Sequence, residues 1–178
     1  MTRTQAFEGF ILKKIALLDT SYSIVFFTKE LGKISVIAKG VKTITSKRAG
    51  HLQTGNLVRF HAHKHVSGAW YLGSTTLVSG LVSLKSSPER MAVLYHSLQL
   101  LDLLLPDGEM EMVTFRAYKA YITKLHEQPE ESTTLFFGFA RSLIEHLGFG
   151  VHTITGYAEL TRVMQTITDR SVEFVKIS

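Results

Sequence analysis

Cysteine is absent from the 178-residue chain, which excludes disulfides, thiolate zinc sites and cysteine nucleophiles together. Proline is scarce, with 3 residues in all. No apolar run approaches the roughly 18 to 20 residues that a bilayer-crossing helix needs; the run from Leu98 to Leu105 is cut by Asp102. A signal-peptide pattern is also lacking, since Arg3 is followed by Gln5, Glu8 and Lys13 rather than by an apolar stretch. A cytoplasmic protein is the expectation. Catalytic signatures are missing too. No glycine-rich phosphate loop precedes a helix, no histidine pair has zinc-protease spacing, and no serine stands in a nucleophile elbow. Glu8, Asp19 and Glu30 are the only acids before residue 80, so a carboxylate pair in a strand-built cleft is not available. The expectation is a protein that binds without turnover, with no catalytic residue and no cofactor.

What the chain does have is unevenly distributed. Residues 1–80 carry a net charge of +8 and residues 81–178 one of −3, within a total of +5. The first half is therefore suited to a polyanion and the second is not. Hydrophobic residues make up 45% of the chain, enough to bury a substantial core.

The change in charge coincides with a change in periodicity. Before residue 80 the pattern is that of strands: Phe10 to Leu12 continuing through Ile15 to Leu18 with a kink or bulge at Lys13-Lys14, then Tyr22 to Thr28, Lys33 to Lys39, Asn56 to His65, and Trp70 to Ser79. In the third, Ile34, Val36 and Ala38 alternate with Ser35, Ile37 and Lys39. In the fourth, Val58, Phe60 and Ala62 share one face, and Arg59, His61, His63 and His65 share the other. Five short strands, with a long connection between the third and fourth, predict an OB-type β-barrel; an SH3-like barrel is the nearest competitor. Beyond it, Ser86-Ser87-Pro88-Glu89 is a helix start, and Met91, Leu94, Leu98, Leu101 and Leu105 recur at helical spacing until Pro106. Further helices are predicted from about Glu109 to Leu125, Thr134 to Leu147 and Ala158 to Ile167. The expected fold class is α+β, with an OB domain expected to bind nucleic acid at 1–80 and a helical bundle at 81–178.

Phe27 to Arg48 concentrates the charge, with six cations and one acid. Across the barrel half the candidate polyanion-binding residues are Lys13, Lys14, Lys29, Lys33, Lys39, Lys42, Lys47, Arg48, Arg59 and Lys64. Cations drawn from several strands of one small barrel must partly share a face, and neutralising phosphates with them gives sequence-independent, salt-sensitive binding. Tyr22, Phe26, Phe27, Trp70 and Tyr71 are candidate stacking platforms, although more than half of them are expected in the core. His61, His63 and His65 lie on one strand face, but no acid or cysteine nearby completes a metal shell. The expectation is no metal, with the imidazoles adding to the basic surface. Phe136, Phe137 and Phe139 are expected in helix packing, with a partner groove as the alternative.

One further pattern concerns order and spacing. Glu8-Gly9-Phe10-Ile11-Leu12-Lys13, Phe27-Thr28 with Leu31-Gly32-Lys33-Ile34, Ala38-Lys39-Gly40, Ser46-Lys47-Arg48 and Leu52-Gln53 together resemble the N-terminal domain of the bacterial recombination mediator family RecO. Leu147-Gly148-Phe149 is also similar to the family. The resemblance implies an OB fold and a helical domain without enzymatic turnover. It implies binding of single- and double-stranded DNA, annealing of complementary strands, a RecR partner, contact with the C-terminal tail of single-strand-binding protein, and indirect help to the recombinase RecA at gaps. Three features depart from the family. The four-cysteine zinc module of many members has no counterpart, the segment from Phe149 to Ala158 is short, and Asp19-Thr20-Ser21 stands where relatives often have Gly-Glu. The charge pattern alone leaves two alternatives open: an OB-type RNA-binding module, or an adaptor that binds an acidic peptide without touching nucleic acid.

Overall fold

The computed structural model describes residues 4–17, 20–41 and 50–174. It divides into two compact units, Met1–Leu81 with Leu105–Phe115, and Val82–Leu104 with Arg116–Ser178. The first unit thus includes a stretch, Leu105–Phe115, that a division at residue 80 assigns to the helical part.

The first unit is built on five strands: β1 Thr4–Ala16, β2 Tyr22–Thr28, β3 Gly32–Ala38, β4 Leu57–Lys64 and β5 Trp70–Ser79. They close in the order β1-β2-β3-β5-β4, the arrangement expected of an OB-type barrel. β1 starts six residues before the apolar stretch that announced it, because it serves two neighbours. Its first half pairs with β4 from Thr4↔His63 to Phe10↔Leu57, and its second half pairs with β2 from Gly9↔Thr28 to Ala16↔Tyr22. The register shifts between Ile11 and Lys13. That bulge bends one long strand across both halves of the barrel, at the place where Lys13-Lys14 interrupts the apolar pattern. Closure on the other side is brief: β3 and β5 run parallel and meet only at Val36↔Trp70 and Ile37↔Tyr71.

Alternation sends Ile24 and Phe26, Ile34, Val36 and Ala38, and Val58, Phe60 and Ala62 inward, joined by Phe7 and Leu72. Phe60 holds the centre, its ring 4.2 Å from Phe26 and 5.3 Å from Phe7. Burying aromatic side chains of this kind stabilises by about 1.5–3 kcal/mol each. A second apolar patch lies outside the barrel, where Phe10 and Phe27 meet Phe115 at 5.8 and 5.4 Å.

Phe115 is held there by an unusually close backbone contact. Gly32 has φ +64°, and a Cβ placed on it would lie 1.7 Å from the Glu109 carbonyl oxygen. Next to it, the Gly108 amide donates to the Lys33 carbonyl at 2.7 Å, and the Lys33 ammonium stands 3.4 Å from the Asp107 carboxylate. The segment Asp107–Glu109 therefore lies against the start of β3 as a strap. This is why the third helix begins at Met112 rather than near Glu109: the intervening backbone is already bonded to the sheet.

The helices are α1 Val82–Lys85, α2 Pro88–Leu104, α3 Met112–Glu127, α4 Ser132–His146 and α5 Tyr157–Thr168, with a 3₁₀ turn at Pro129–Glu131 before α4. The division between units falls inside α3, after Phe115. Within the second unit α2 is buried on most sides through Ala92, Val93, Leu94, Leu98, Leu100, Leu101 and Leu104. Its polar residues consequently need internal partners. Ser97 Oγ donates to the Leu94 carbonyl at 2.7 Å and shares a 3.1 Å bond with the Tyr118 hydroxyl. α4 ends at Gly148 with φ +83°, where the Phe149 amide reaches back to the Ile144 carbonyl, the closure that a C-terminal glycine permits. Among the described residues no helix is long and apolar enough to cross a membrane.

Two glycines separate conformation from contact. Gly32→Ala meets both a positive φ and a backbone oxygen, whereas Gly40, at φ +68°, has nothing within 4 Å of a built Cβ. Gly40→Ala should cost about 1 kcal/mol, the penalty of the left-handed region alone, and Gly32→Ala several times that. Urea unfolding of the two variants makes the comparison; equal losses would mean that the strap yields without cost.

Candidate nucleic-acid interface

Strand register decides which cations meet. Tyr22 pairs with Ala38, Ile37 with Tyr71, and His63 with Tyr71. The start of β2, the end of β3, the start of β5 and the end of β4 therefore form one row around one end of the barrel. Neighbouring strands in such a row are about 4.8 Å apart, so the side chains it carries are mutual neighbours.

Lys14, Lys39 and Lys64 all reach this row, each over an aromatic ring. The Lys14 ammonium lies 4.8 Å from the Tyr22 centroid and donates to the Leu52 carbonyl at 3.3 Å. Lys39 lies 4.8 Å from the Tyr71 centroid. Lys64 lies 5.7 Å from that of Trp70, whose ring packs edge-on against Phe7 in the core at 5.3 Å. Tyr71 is also flanked by two imidazoles: His63 stacks on it at 5.7 Å and 19°, and His65 meets it edge-on at 5.9 Å. Cation–π contact holds a lysine side chain in place over the ring. No acid occurs in the sequence between Glu30 and Glu89, so the strands that build most of this row contribute none.

The remaining cations are placed differently. Lys13 is exposed beside the bulge. Lys29 and Arg59 are also exposed, but they line an open cleft of about 460 Å³ together with Glu8, Glu30, His61 and Thr76. Arg59 Nε lies 3.0 Å from the Glu8 carboxylate, and a Glu30 carboxylate oxygen accepts the Glu8 amide, so this end of the barrel is close to neutral. Arg59 and His63 are four residues apart on β4, or roughly 13 Å at strand rise. Lys33 is the least available, with a side chain only 12% exposed and its charge faced by Asp107. Lys42, Lys47 and Arg48 lie outside the described residues.

The three strand histidines do not converge. His61 Nδ1 pairs with Ser74 Oγ at 3.0 Å, His65 Nδ1 with Ser67 Oγ at 3.0 Å, and His63 stacks on Tyr71. Among the described residues no three His, Asp or Glu side chains form a set able to hold a metal ion. Of the candidate platforms, Phe26 and Phe27 are fully buried, leaving Tyr22, Trp70 and Tyr71 partly exposed at the barrel end. Sequence reading named Tyr71 without separating it from the core aromatics. The signal that separates it is parity, because Trp70 and Leu72 point inward and Tyr71 between them must point out.

The helical unit has an open groove of about 490 Å³ between α3 and α4. Ala117, Ala120 and Gly138 make it shallow, and Tyr121 and Phe139, stacked at 4.5 Å, form its floor. Lys124 and Arg141 are exposed at its rim. Of the three phenylalanines of α4, Phe136 is fully buried and Phe139 lines this groove.

Residues 1–79 match the family model described as Recombination protein O N terminal, and residues 85–158 match Recombination protein O C terminal. Proteins named DNA repair protein RecO are similar along most of the chain. That of Prosthecochloris aestuarii is 32% identical over 143 residues, 80% of this chain and 54% of the relative. The one from Chloroherpeton thalassium is 26% identical over 143 residues, covering 80% and 55%, and that of Alkaliphilus metalliredigens 24% over 145 residues, covering 82% and 58%. The chain spans about half the length of these curated relatives.

The contact between Lys39 and Tyr71 can be checked directly. Ring current should move the Lys39 side-chain methylene resonances upfield, and Tyr71→Leu should return them to ordinary positions at a stability cost below about 1 kcal/mol, the scale of an exposed cation–π pair. Resonances already at ordinary positions in the unaltered protein would show that the lysine does not rest on the ring.

Proposed function

Since the chain belongs to the RecO family, we propose that it is a DNA-binding recombination mediator, one that binds and anneals strands and assists recombinase loading at gaps during repair. The observation that carries this reading is the row of Lys14, Lys39 and Lys64 on Tyr22, Tyr71 and Trp70, with His63 and His65 beside them. Lysines held over aromatic rings offer a backbone-tracking surface, and bases could stack on these rings only where a lysine or imidazole gives way. The reading contains no chemical step. Cations lower the repulsion between two polyanionic strands, and a shallow surface leaves base edges free to pair.

In this reading Lys14, Lys39 and Lys64 touch phosphate, with Lys13 beside them and Lys42, Lys47 and Arg48 following Lys39 in the chain. Lys29 and Arg59 contribute less because Glu8 and Glu30 share their cleft. Lys33 serves the strap rather than the ligand. Binding to single strands should weaken with salt at a slope of about −0.7 per neutralised phosphate on a double-logarithmic plot. Lys39→Gln with Lys64→Gln should reduce the slope by about 1.4, whereas Lys33→Gln, or Arg116→Gln with Lys119→Gln, should leave it nearly unchanged. Fluorescence anisotropy on a labelled oligonucleotide reads all three. Equal weakening by every pair would remove the assigned row, and no binding at low salt would remove the function itself. RNA bound as tightly as DNA would favour the alternative RNA-binding role.

We assign the groove between α3 and α4 to the acidic C-terminal tail of single-strand-binding protein. An aromatic floor with Lys124 and Arg141 at the rim complements an acidic peptide. A RecR-like partner and an indirect effect on RecA belong to the same role. Arg141→Glu should weaken an acidic-tail peptide at least tenfold without changing oligonucleotide affinity, as measured by isothermal titration; an unchanged peptide affinity would vacate the groove.

A further inference from the structure

The helical unit contains a buried histidine that the DNA-binding reading does not use. His96 sits in the middle of α2 with 8% of its surface exposed, and its Nδ1 is buried with no hydrogen-bond partner. Three aromatic rings surround the imidazole: Phe136 of α4 at 5.8 Å, Tyr157 of α5 at 5.4 Å, and Phe174 at 5.4 Å. The first two walls are parts of helices. The third belongs to Ser171–Phe174, a non-helical segment that folds back over α5. Two side-chain bonds anchor it, from the Phe174 amide to Thr161 Oγ1 at 3.2 Å and from Gln165 Nε2 to the Val172 carbonyl at 3.5 Å.

We propose that Ser171–Phe174 is a proton-released latch, closed over a neutral His96 and opened when that imidazole takes up a proton. A neutral ring left unpaired at one nitrogen loses one hydrogen bond to water, whereas an imidazolium in the same box would lose part of the solvation of a charge. The wall that yields at least cost is the one outside a helix. Among the described residues, no group facing the ring supplies a compensating negative charge. Tyr157 comes from α5, and burial raises its pKa, so it stays a neutral phenol. α4 presents Phe136, with Phe137 behind it against Tyr157 at 5.0 Å. Glu89 lies two turns earlier on α2, where its carboxylate accepts from Thr133 Oγ1 at 3.0 Å, and Glu173 on the latch itself is exposed.

Burial lowers the His96 pKa from its ordinary value, and this sets the sign. The closed form binds the proton less readily than the open one, so closure is fully favoured above the ordinary histidine range near about 6.5. It weakens as pH falls through that range, by at most about tenfold per pH unit for a single proton.

Hydrogen exchange of residues 161–174 in the full chain, corrected for intrinsic rates, tests this between pH 7.5 and 5.5. The opening constant should rise about three- to tenfold in the unaltered protein and stay flat in His96→Phe, which fills the box without a titrating nitrogen. Phe174→Ala should exchange quickly at both pH values, and NMR should show its His96 ring titrating closer to the ordinary value. An equal pH response with and without His96, no response in the unaltered protein, or a His96 titration unmoved by Phe174→Ala would each overturn the latch.

Discussion

Two backbones meet at Gly32 with no room for a side chain between them, and much of the barrel unit depends on that contact. A residue with a Cβ would drive into the Glu109 carbonyl, so the strap carrying Asp107 and Gly108 would leave the edge of β3. The strap in turn sets where α3 begins and carries Phe115 onto Phe10 and Phe27, the patch that would otherwise face water on the outside of the sheet. One small residue thus lets a β-barrel bury apolar surface on both faces of β1 and β2. The ion pair beside it is secondary. Asp107 is largely exposed, and pairs with an exposed partner contribute little.

A consequence concerns charge. Of the cations in the first half, two near the β2–β3 turn are matched locally: Lys33 by Asp107, and Arg59 by Glu8. At the opposite end Lys14, Lys39 and Lys64 rest on Tyr22, Tyr71 and Trp70. An aromatic face steadies an ammonium without neutralising it. Lysines resting on aromatic faces thus gather at one end of the barrel, whereas the cleft at the other mixes both signs.

The helical unit handles its polar groups by a different rule. Because α2 is enclosed on most sides, Ser97 and Tyr118 satisfy each other, and Tyr121 donates to the Val93 carbonyl. His96 Nδ1 is the exception among the described side chains. In an otherwise satisfied core, an unpaired nitrogen enclosed partly by a non-helical segment is a feature that packing alone does not require.

The strands were legible because alternation in β3 and β4 is a direct imprint of one buried face and β2 is dense in β-branched and aromatic residues, and the helices because Pro88, Pro106 and Gly148 mark their limits. β1 was read short, since Thr4, Gln5 and Ala6 pair with β4 while showing little hydrophobic period. α3 was read three residues early, since nothing local reveals that Asp107–Glu109 is bonded to β3. The cations and the three histidines were visible as candidates, but as one undivided set. Composition, charge asymmetry and periodicity by themselves determined a basic five-stranded barrel followed by helices, because these properties belong to residues one or a few positions apart. Which lysines lie over aromatic rings, which rings face outward, and which histidine is buried were decided only by strand register and packing, because those contacts join residues tens of positions apart.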